Sequence, residues 1–407
     1  MRSTTLACIA FAASLFSGVA AADFKIAYID PLSGGAASAG VNSQKHVQFF
    51  ADKINAAGGL NGEKIEVLSY DNKVNPQESL IMLKKAIDEG ARIIFQGNGS
   101  AVAHAITDAV LKYNERNPGK EVLFFNYAAI DPALTNEKCN FWHFRFDADV
   151  DMKMAAFGDI ITKDKKIKKV YLINQDYSFG KAVSAAAKAM LAARRPDIQV
   201  VGDELHPLQK VQDFSPYVAK IKASGADTVI TGNWSNDMLL LFKAGKDAGL
   251  KVNWFTYYGG GLGSVPAIGK DGVGYLKQVT EHHKNVAPQL EPDEVAFHKR
   301  YTDKSDELYY WRLRNTFAML DAAAKKAKSN DPVKLAHALE GMKLDTPLGP
   351  MEMRADNHQL LQPLFVSTLS DKVKYGLEGT NLGFVTDRKI DAKDTRLPTT
   401  CKMQRPS

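Results

Sequence analysis

Residues 92–113 read RIIFQGNGSAVAHAITDAVLKY. Arg92 to Phe95 is a short apolar run of strand length, Gly97-Asn98-Gly99-Ser100 breaks it, and Ala101 to Tyr113 reads as an amphipathic helix. A strand, a glycine turn and a helix in succession are the unit of an α/β fold, and the same unit extends to either side. Upstream, Phe24 to Ile29 is a buried strand. Asn42 to Ala57 then carries Val47, Phe50 and Ile54 at helical spacing and stops at Gly58-Gly59. Lys64 to Tyr70 is a second strand. The following helix opens on Asn75 as cap, Pro76 in the first turn and Glu78 closing a capping box, and ends at Gly90. Downstream, Glu121 to Phe125 is a fourth strand. Short apolar strands separated by amphipathic helices imply a parallel sheet covered on both faces.

The rhythm restarts after about residue 150. Val170 to Ile173, Val200 to Glu204, Thr228 to Thr231 and Asn253 to Tyr257 read as strands. Gly180 to Ala193, Pro216 to Ala223 and Asn236 to Ala248 read as the helices between them. The fold class is therefore α/β, with two doubly wound parallel-sheet units in tandem. No Pro/Gly/Ser linker separates them, which predicts several close crossings rather than one tether. Ligands of doubly wound sheets sit outside the carboxyl ends of the strands, so the residues just past each strand are the candidates.

The N-terminus reads as a secretory leader. Arg2 supplies the positive start, Leu6 to Phe16 an uncharged apolar core, and Ala20-Ala21-Ala22 a small-residue cleavage site, so residues 1–22 are a signal peptide and the mature chain starts at Asp23. Removing Arg2 from the 52 basic residues leaves 51 against 46 acidic ones, a mild net charge of +5. Those charges are interspersed, which argues against a nucleic-acid partner. Beyond the leader, Cys139 and Cys401 are the two remaining cysteines. In an oxidising compartment they are expected to pair, tying the C-terminal tail to the segment around Asn140-Phe141-Trp142.

Motifs for catalysis are missing. Gly259-Gly260-Gly261-Leu262-Gly263 resembles a phosphate cradle, but Gly263 to Lys270 has five residues between its glycines and is followed by Asp271. The nine histidines are scattered, and the adjacent pair His282-His283 points apart, so no metal or cofactor is expected. The strand ends carry small, polar and aromatic residues instead. Gly97-Asn98-Gly99-Ser100 opens a helix whose amides and dipole favour a carboxylate, with Asn98 and the Ser100 hydroxyl at hand. Ser100 as a simple helix cap is the competing reading. Tyr127-Ala128-Ala129-Ile130 offers backbone groups past the fourth strand. Tyr177-Ser178-Phe179-Gly180, Asn233-Trp234-Ser235 and Tyr257-Tyr258-Gly259-Gly260 gather rings at one edge of the second sheet, the lining expected of a small-molecule site.

Over its mature length the chain resembles the leucine/isoleucine/valine-type periplasmic binding proteins of ABC importers. The resemblance rests on Ile29-Asp30-Pro31-Leu32-Ser33-Gly34, Asp52 to Gly62 (DKINAAGGLNG), Tyr70-Asp71-Asn72 and Asp131-Pro132-Ala133-Leu134-Thr135. Tyr177-Ser178-Phe179-Gly180 is similar to the family's "YG" signature, with Phe in the Tyr position. It implies a type I periplasmic binding protein whose lobes, joined by three crossings, close on a ligand without catalysis or cofactor. Residues 23–145 with 278–352 are then one lobe, and 146–277 with 353–407 the other. The family's carboxylate contacts fall on Ser100, Ala128 and Ile130, and its second-lobe contacts on Phe179, Trp234 and Tyr258. Amino-acid-binding relatives place an acid near the last position, whereas no acid lies within two residues of Tyr258. The ligand is expected to be a small carboxylate, an amino acid or an aromatic or apolar acid, and because a buried ammonium without an anionic partner is costly, the residues argue for the acid without an α-amino group. The implied partner is an inner-membrane ABC permease, and the chain is expected to be a periplasmic monomer. A sensor module using the same trap is the alternative. A hydrolase or amidase would need a nucleophile and base that the strand ends do not supply.

Overall fold

Largely apolar runs followed by turn residues set most of the strands of the computed structural model, which describes residues 23–406. The expected leader at 1–22 lies outside the described residues. β1 (Phe24–Asp30), β2 (Ile65–Asp71), β3 (Ile93–Gln96), β4 (Leu123–Asn126) and β5 (His143–Arg145) form one sheet in the order β2-β1-β3-β4-β5, every pair parallel. β6 (Lys169–Gln175), β7 (Gln199–His206), β8 (Thr228–Thr231), β9 (Asn253–Thr256) and β10 (Leu276–Thr280) repeat that pattern as β7-β6-β8-β9-β10, again parallel. β11 (Lys343–Leu344), β12 (Met351–Met353) and β13 (Leu360–Leu361) make a small antiparallel sheet. β14 (Leu364–Ser370) and β15 (Gly383–Ile390) then add antiparallel strands beside β10.

The same strand order thus occurs twice, and each copy has its switch point beside its first strand. Helices cover both faces. In the first unit they are α1 (Ala37–Ala56), α2 (Pro76–Asp88) and α3 (Ser100–Arg116). In the second they are α4 (Val150–Ile161), α5 (Ser178–Arg194), α6 (Ser215–Ser224), α7 (Asn236–Asp247) and the short α8 (Ser264–Ile268). α9 (Pro292–Arg300), α10 (Trp311–Ala327) and α11 (Pro332–Leu339) return to the first unit, where α10 packs on α1. α1 starts before the expected Asn42, because Ala37-Ser38-Ala39-Gly40 carries no large apolar residue to mark a face. Asn75 caps α2 by accepting from the Glu78 amide at 3.0 Å. The return half of a capping box is replaced, since the Asn75 amide donates to the Asn72 carbonyl at 2.8 Å.

The chain passes between the sheets three times: between β5 and α4, after β10, and between β13 and β14. The sequence positions 278 and 352 fall inside β10 and β12, where Gln278 pairs with Ser367 and Thr256, and Glu352 with Lys343 and Leu361. The passages are stitched side by side. Gln362 donates to the Phe146 carbonyl at 2.7 Å and accepts from Asn315 at 2.7 Å, while Gln359 donates to the Asp147 carbonyl at 2.8 Å. Cys139 and Cys401 are bridged, with Cα atoms 5.7 Å apart. Thr399 reinforces the attachment by donating to the Asn136 side chain at 3.0 Å.

Gly180 lies in the first turn of α5, where a Cβ would stand 1.9 Å from the Gln175 carbonyl oxygen. The helix therefore lies directly on the end of β6, and no side chain fits between them. Gly180→Ala is expected to cost about 1–3 kcal/mol of stability, the usual range for overpacking. Urea unfolding should show a lower midpoint with an unchanged slope.

Candidate ligand-binding site

The carboxyl ends of the two sheets face one another across a cavity, and each wall is built from its own switch point. On the first wall, Asp30 ends β1 with its carboxylate fully buried. It accepts hydrogen bonds from the Gly97 amide at 3.1 Å, the Asn98 amide at 2.9 Å and the Tyr127 hydroxyl. Burial pushes this carboxyl up to about 7, against the pull of those donors. Asp30 thereby turns the first two amides of the 97–100 loop away from the cavity and shapes the loop that precedes α3.

The first residue of α3 is Ser100, and the capping position is held by Gly99 at φ 99° with no side-chain capping bond. Capping is therefore not the role of Ser100. Its hydroxyl lines the cavity and accepts from the Asp131 amide at 3.3 Å, leaving its own proton free to be donated. The first amides of a helix lack intrahelical partners, so this end of α3 favours an anion.

Asn98, Ala128, Ile130, Phe179, Trp234 and Tyr258 join Ser100 around this cavity. Tyr127 does not. Its ring lies beneath Gly97, where a Cβ would meet it at 2.7 Å, and its hydroxyl is held by Asp30, Ser43 and Asn98. Its place is under the loop. Ala128 differs in detail from the expected amide contact, because its N–H points to the Asn126 side chain at 3.2 Å. Its carbonyl accepts from the Tyr258 hydroxyl at 3.2 Å across the cavity. Ile130 is buried and packs with the apolar core of the second unit.

The second wall is aromatic. The Trp234 indole donates to the Tyr177 hydroxyl at 2.9 Å, which locks two rings together. Phe179 packs against Tyr177, Tyr257 and Tyr258, with ring centroids 5.8–6.0 Å apart. Ser235 has φ 53°, a left-handed backbone uncommon outside glycine, and its hydroxyl meets that of Ser38 at 3.0 Å. This contact joins the two walls. The glycine run is explained by crowding: Cβ atoms on Gly259 and Gly260 would fall 2.1 Å from Thr256 Oγ1 and 2.2 Å from Gln278 Oε1. Gly261 and Leu262 line the cavity.

Tyr309 and Tyr310, just before α10, complete the lining and were not among the sequence candidates. The Tyr309 hydroxyl is buried without a hydrogen-bond partner among the described residues. The adjacent aromatics Tyr309-Tyr310-Trp311 were the available signal, but nothing in sequence brings them to this edge.

None of the described residues lining the cavity is acidic, basic or a histidine. Charge lies behind Tyr258 instead. Asp147 is 3.3 Å from its hydroxyl, yet this carboxylate is already paired with Arg312 and with Lys153 at 2.9 Å. Arg312 also reaches Glu281 at 3.0 Å. Burial alone would raise the Asp147 carboxyl, and the two cations more than reverse that, holding it below the usual range.

The periplasmic binding protein family model matches residues 23–374. The chain is 38% identical to the Leu/Ile/Val-binding protein homolog 4 of Brucella melitensis, over 98% of this chain and 97% of that one. The closed-conformation structure of the Brucella ovis leucine-, isoleucine-, valine-, threonine- and alanine-binding protein superposes with a TM-score of 0.82 at 37% identity, covering 95% of this chain and 100% of that one. A Rhodopseudomonas palustris solute-binding protein in complex with 3,4-dihydroxybenzoic acid shares the fold at a TM-score of 0.77 and 21% identity, over 91% of this chain and 98% of that one. The twice-repeated strand order, the cavity between the two sheets and these matches together define a type I fold, and the chain belongs to the periplasmic binding proteins of the leucine/isoleucine/valine type.

Proposed function

We propose that the protein captures a small carboxylate without an α-ammonium between its lobes in the periplasm and presents it to an ABC permease for import, without transforming it. The observation that carries this reading is the uncharged lining of the cavity. Ser100 and the start of α3 suit a carboxylate, Trp234 and Phe179 suit an apolar or aromatic body, and none of the described lining residues is an acid ready for an ammonium. The carboxylate behind Tyr258, Asp147, is neutralised by Arg312 and Lys153. Fold neighbours include the Rhodopseudomonas palustris protein with 3,4-dihydroxybenzoic acid bound, so an amine-free acid is within the reach of this architecture.

A second reading is favoured by the Brucella relatives, whose names specify leucine, isoleucine and valine, and in one case threonine and alanine as well. On that reading the ammonium rests on the ring faces of Tyr258 or Trp234, as cations over aromatic rings do.

A thermal-shift series on the protein without residues 1–22 separates the two. Benzoate and 4-hydroxybenzoate are set against leucine and valine. A ligand at 100 times its dissociation constant stabilises the fold by about 2.7 kcal/mol. The expected result is a shift with the amine-free acids alone, and a shift with leucine or valine alone would replace the first reading by the second. Ser100→Ala is expected to weaken the binding ligand about 10-fold to 100-fold, the worth of a hydrogen bond to a charged group. Unchanged affinity by calorimetry would remove Ser100 from the head-group contact.

A further inference from the structure

Behind Tyr309, on the side away from the ligand cavity, three side chains converge that the proposed function does not use. Glu294 and His298 stand four residues apart on one face of α9, and Glu307 lies on the segment that leads to α10. One potential ligand atom from each falls within a single group 4.8 Å across. Glu294 Oε2, His298 Nε2 and Glu307 Oε2 are all buried without a hydrogen-bond partner among the described residues. Glu294 is only 1% exposed, and burial pushes its carboxyl above the usual range. Buried polar atoms are nearly always satisfied, so Glu294 Oε2 and His298 Nε2 call for a partner, and Glu307 Oε2 beside them has only the Lys284 ammonium.

We propose that Glu294, His298 and Glu307 form a site for a divalent transition-metal cation of the Zn²⁺ class. One imidazole with two carboxylates is the donor set of such ions rather than of Ca²⁺ or Mg²⁺, which take oxygen alone. The separations of His298 Nε2 from Glu294 Oε1 and Glu307 Oε2, 3.7 and 3.6 Å, need only small shifts to place each ligand about 2.0–2.2 Å from one ion. A surface cleft lined by His298, Asp303, Asp306 and Glu307 supplies an entry path, and the His298 side chain is 28% exposed. The competing cation is Lys284, whose ammonium is ion-paired with Glu307 Oε2 at 2.5 Å. An ion displaces it from that oxygen.

The site abuts the ligand cavity. Glu307 is two residues from Tyr309, and its Oε1 accepts from the Glu378 amide at 2.8 Å. Glu378 in turn accepts from the Gly263 amide at 2.6 Å, next to Leu262 in the cavity lining. An ion here braces both segments.

The test is titration of the chelator-stripped protein, disulfide intact, with ZnCl₂ by calorimetry and thermal shift, with CaCl₂ as control. Saturable one-to-one Zn²⁺ binding with a raised melting temperature is expected, and no response to Ca²⁺. His298→Ala, at the partly exposed position, should weaken Zn²⁺ by more than the about 10–100-fold lost with an outer-shell partner. Lys284→Ala should strengthen it. The proposal is overturned if the folded protein binds no Zn²⁺ stoichiometrically, if His298→Ala binds it as well as the parent, or if Lys284→Ala leaves Zn²⁺ affinity unchanged.

Discussion

Arg312→Met is expected to remove about 3–5 kcal/mol of folding stability, because truncating one member of a buried ion network leaves an acid, here Glu281, charged without its cation. Arg312, Asp147 and Lys153 are fully buried, and Glu281 is nearly so. Arg312 binds Asp147 on the first passage between the sheets and Glu281 just after β10 on the second. It stands at the start of α10, so one guanidinium holds two passages against a helix of the first unit. Without it, Asp147 keeps Lys153, but the Glu281 side chain loses its hydrogen bond from the guanidinium. Lys153→Met should cost less, since Asp147 then retains Arg312. Equilibrium denaturation of both variants tests this ordering, and equal midpoints for Arg312→Met and the parent would show that the network does not hold the passages.

Removing the disulfide is the second large effect. Cys139 and Cys401 are 262 residues apart in sequence. A bridge over so long a loop acts mainly on the unfolded chain, and its loss is expected to cost about 2–5 kcal/mol. The folded chain keeps the tail in place through Thr399 and Thr400 on the Asn136 side chain, so ligand affinity should be unchanged. The signature of a Cys139→Ala/Cys401→Ala double variant is thus a lower unfolding midpoint with a steeper denaturant slope, since the freed unfolded chain exposes more surface. A variant with the parental midpoint would show that the bridge only pins the tail.

The alternation from Phe24 to Thr256 was legible because each strand is an apolar run cut by a turn residue, and the helices between carry the other period. β5 escaped because it reads His143-Phe144-Arg145. Two of its three side chains are polar, and they are tolerated in the interior only because distant groups satisfy them. Arg145 reaches Gln359 at 2.6 Å and the Asp131 carbonyl at 2.6 Å. No local pattern encodes such partners. Most of the cavity was visible for a related reason: residues that follow parallel strands must arrive at the carboxyl edge, so Ser100, Trp234 and Tyr258 could be found by counting from the strands. Tyr309 and Tyr310 follow no strand, and their position depends on where the chain crosses back. The bridging of Cys139 to Cys401 was accessible by elimination, whereas the grouping of Glu294 and His298 with Glu307 depends on the course of the chain beyond α9.

The repeated strand order leaves the two walls with unlike inheritances. Residues 97–130 bring small side chains and backbone groups, whereas residues 177–258 bring rings. On the proposed reading, the head of a cargo molecule is recognised by one stretch of gene and its body by another. A lineage built on this scaffold can then change what it carries by exchanging rings at Phe179, Trp234 or Tyr258 while the grip on the carboxylate passes unaltered from ancestor to descendant. Diversification of cargo needs no invention of a new site, only substitution along half of an old one.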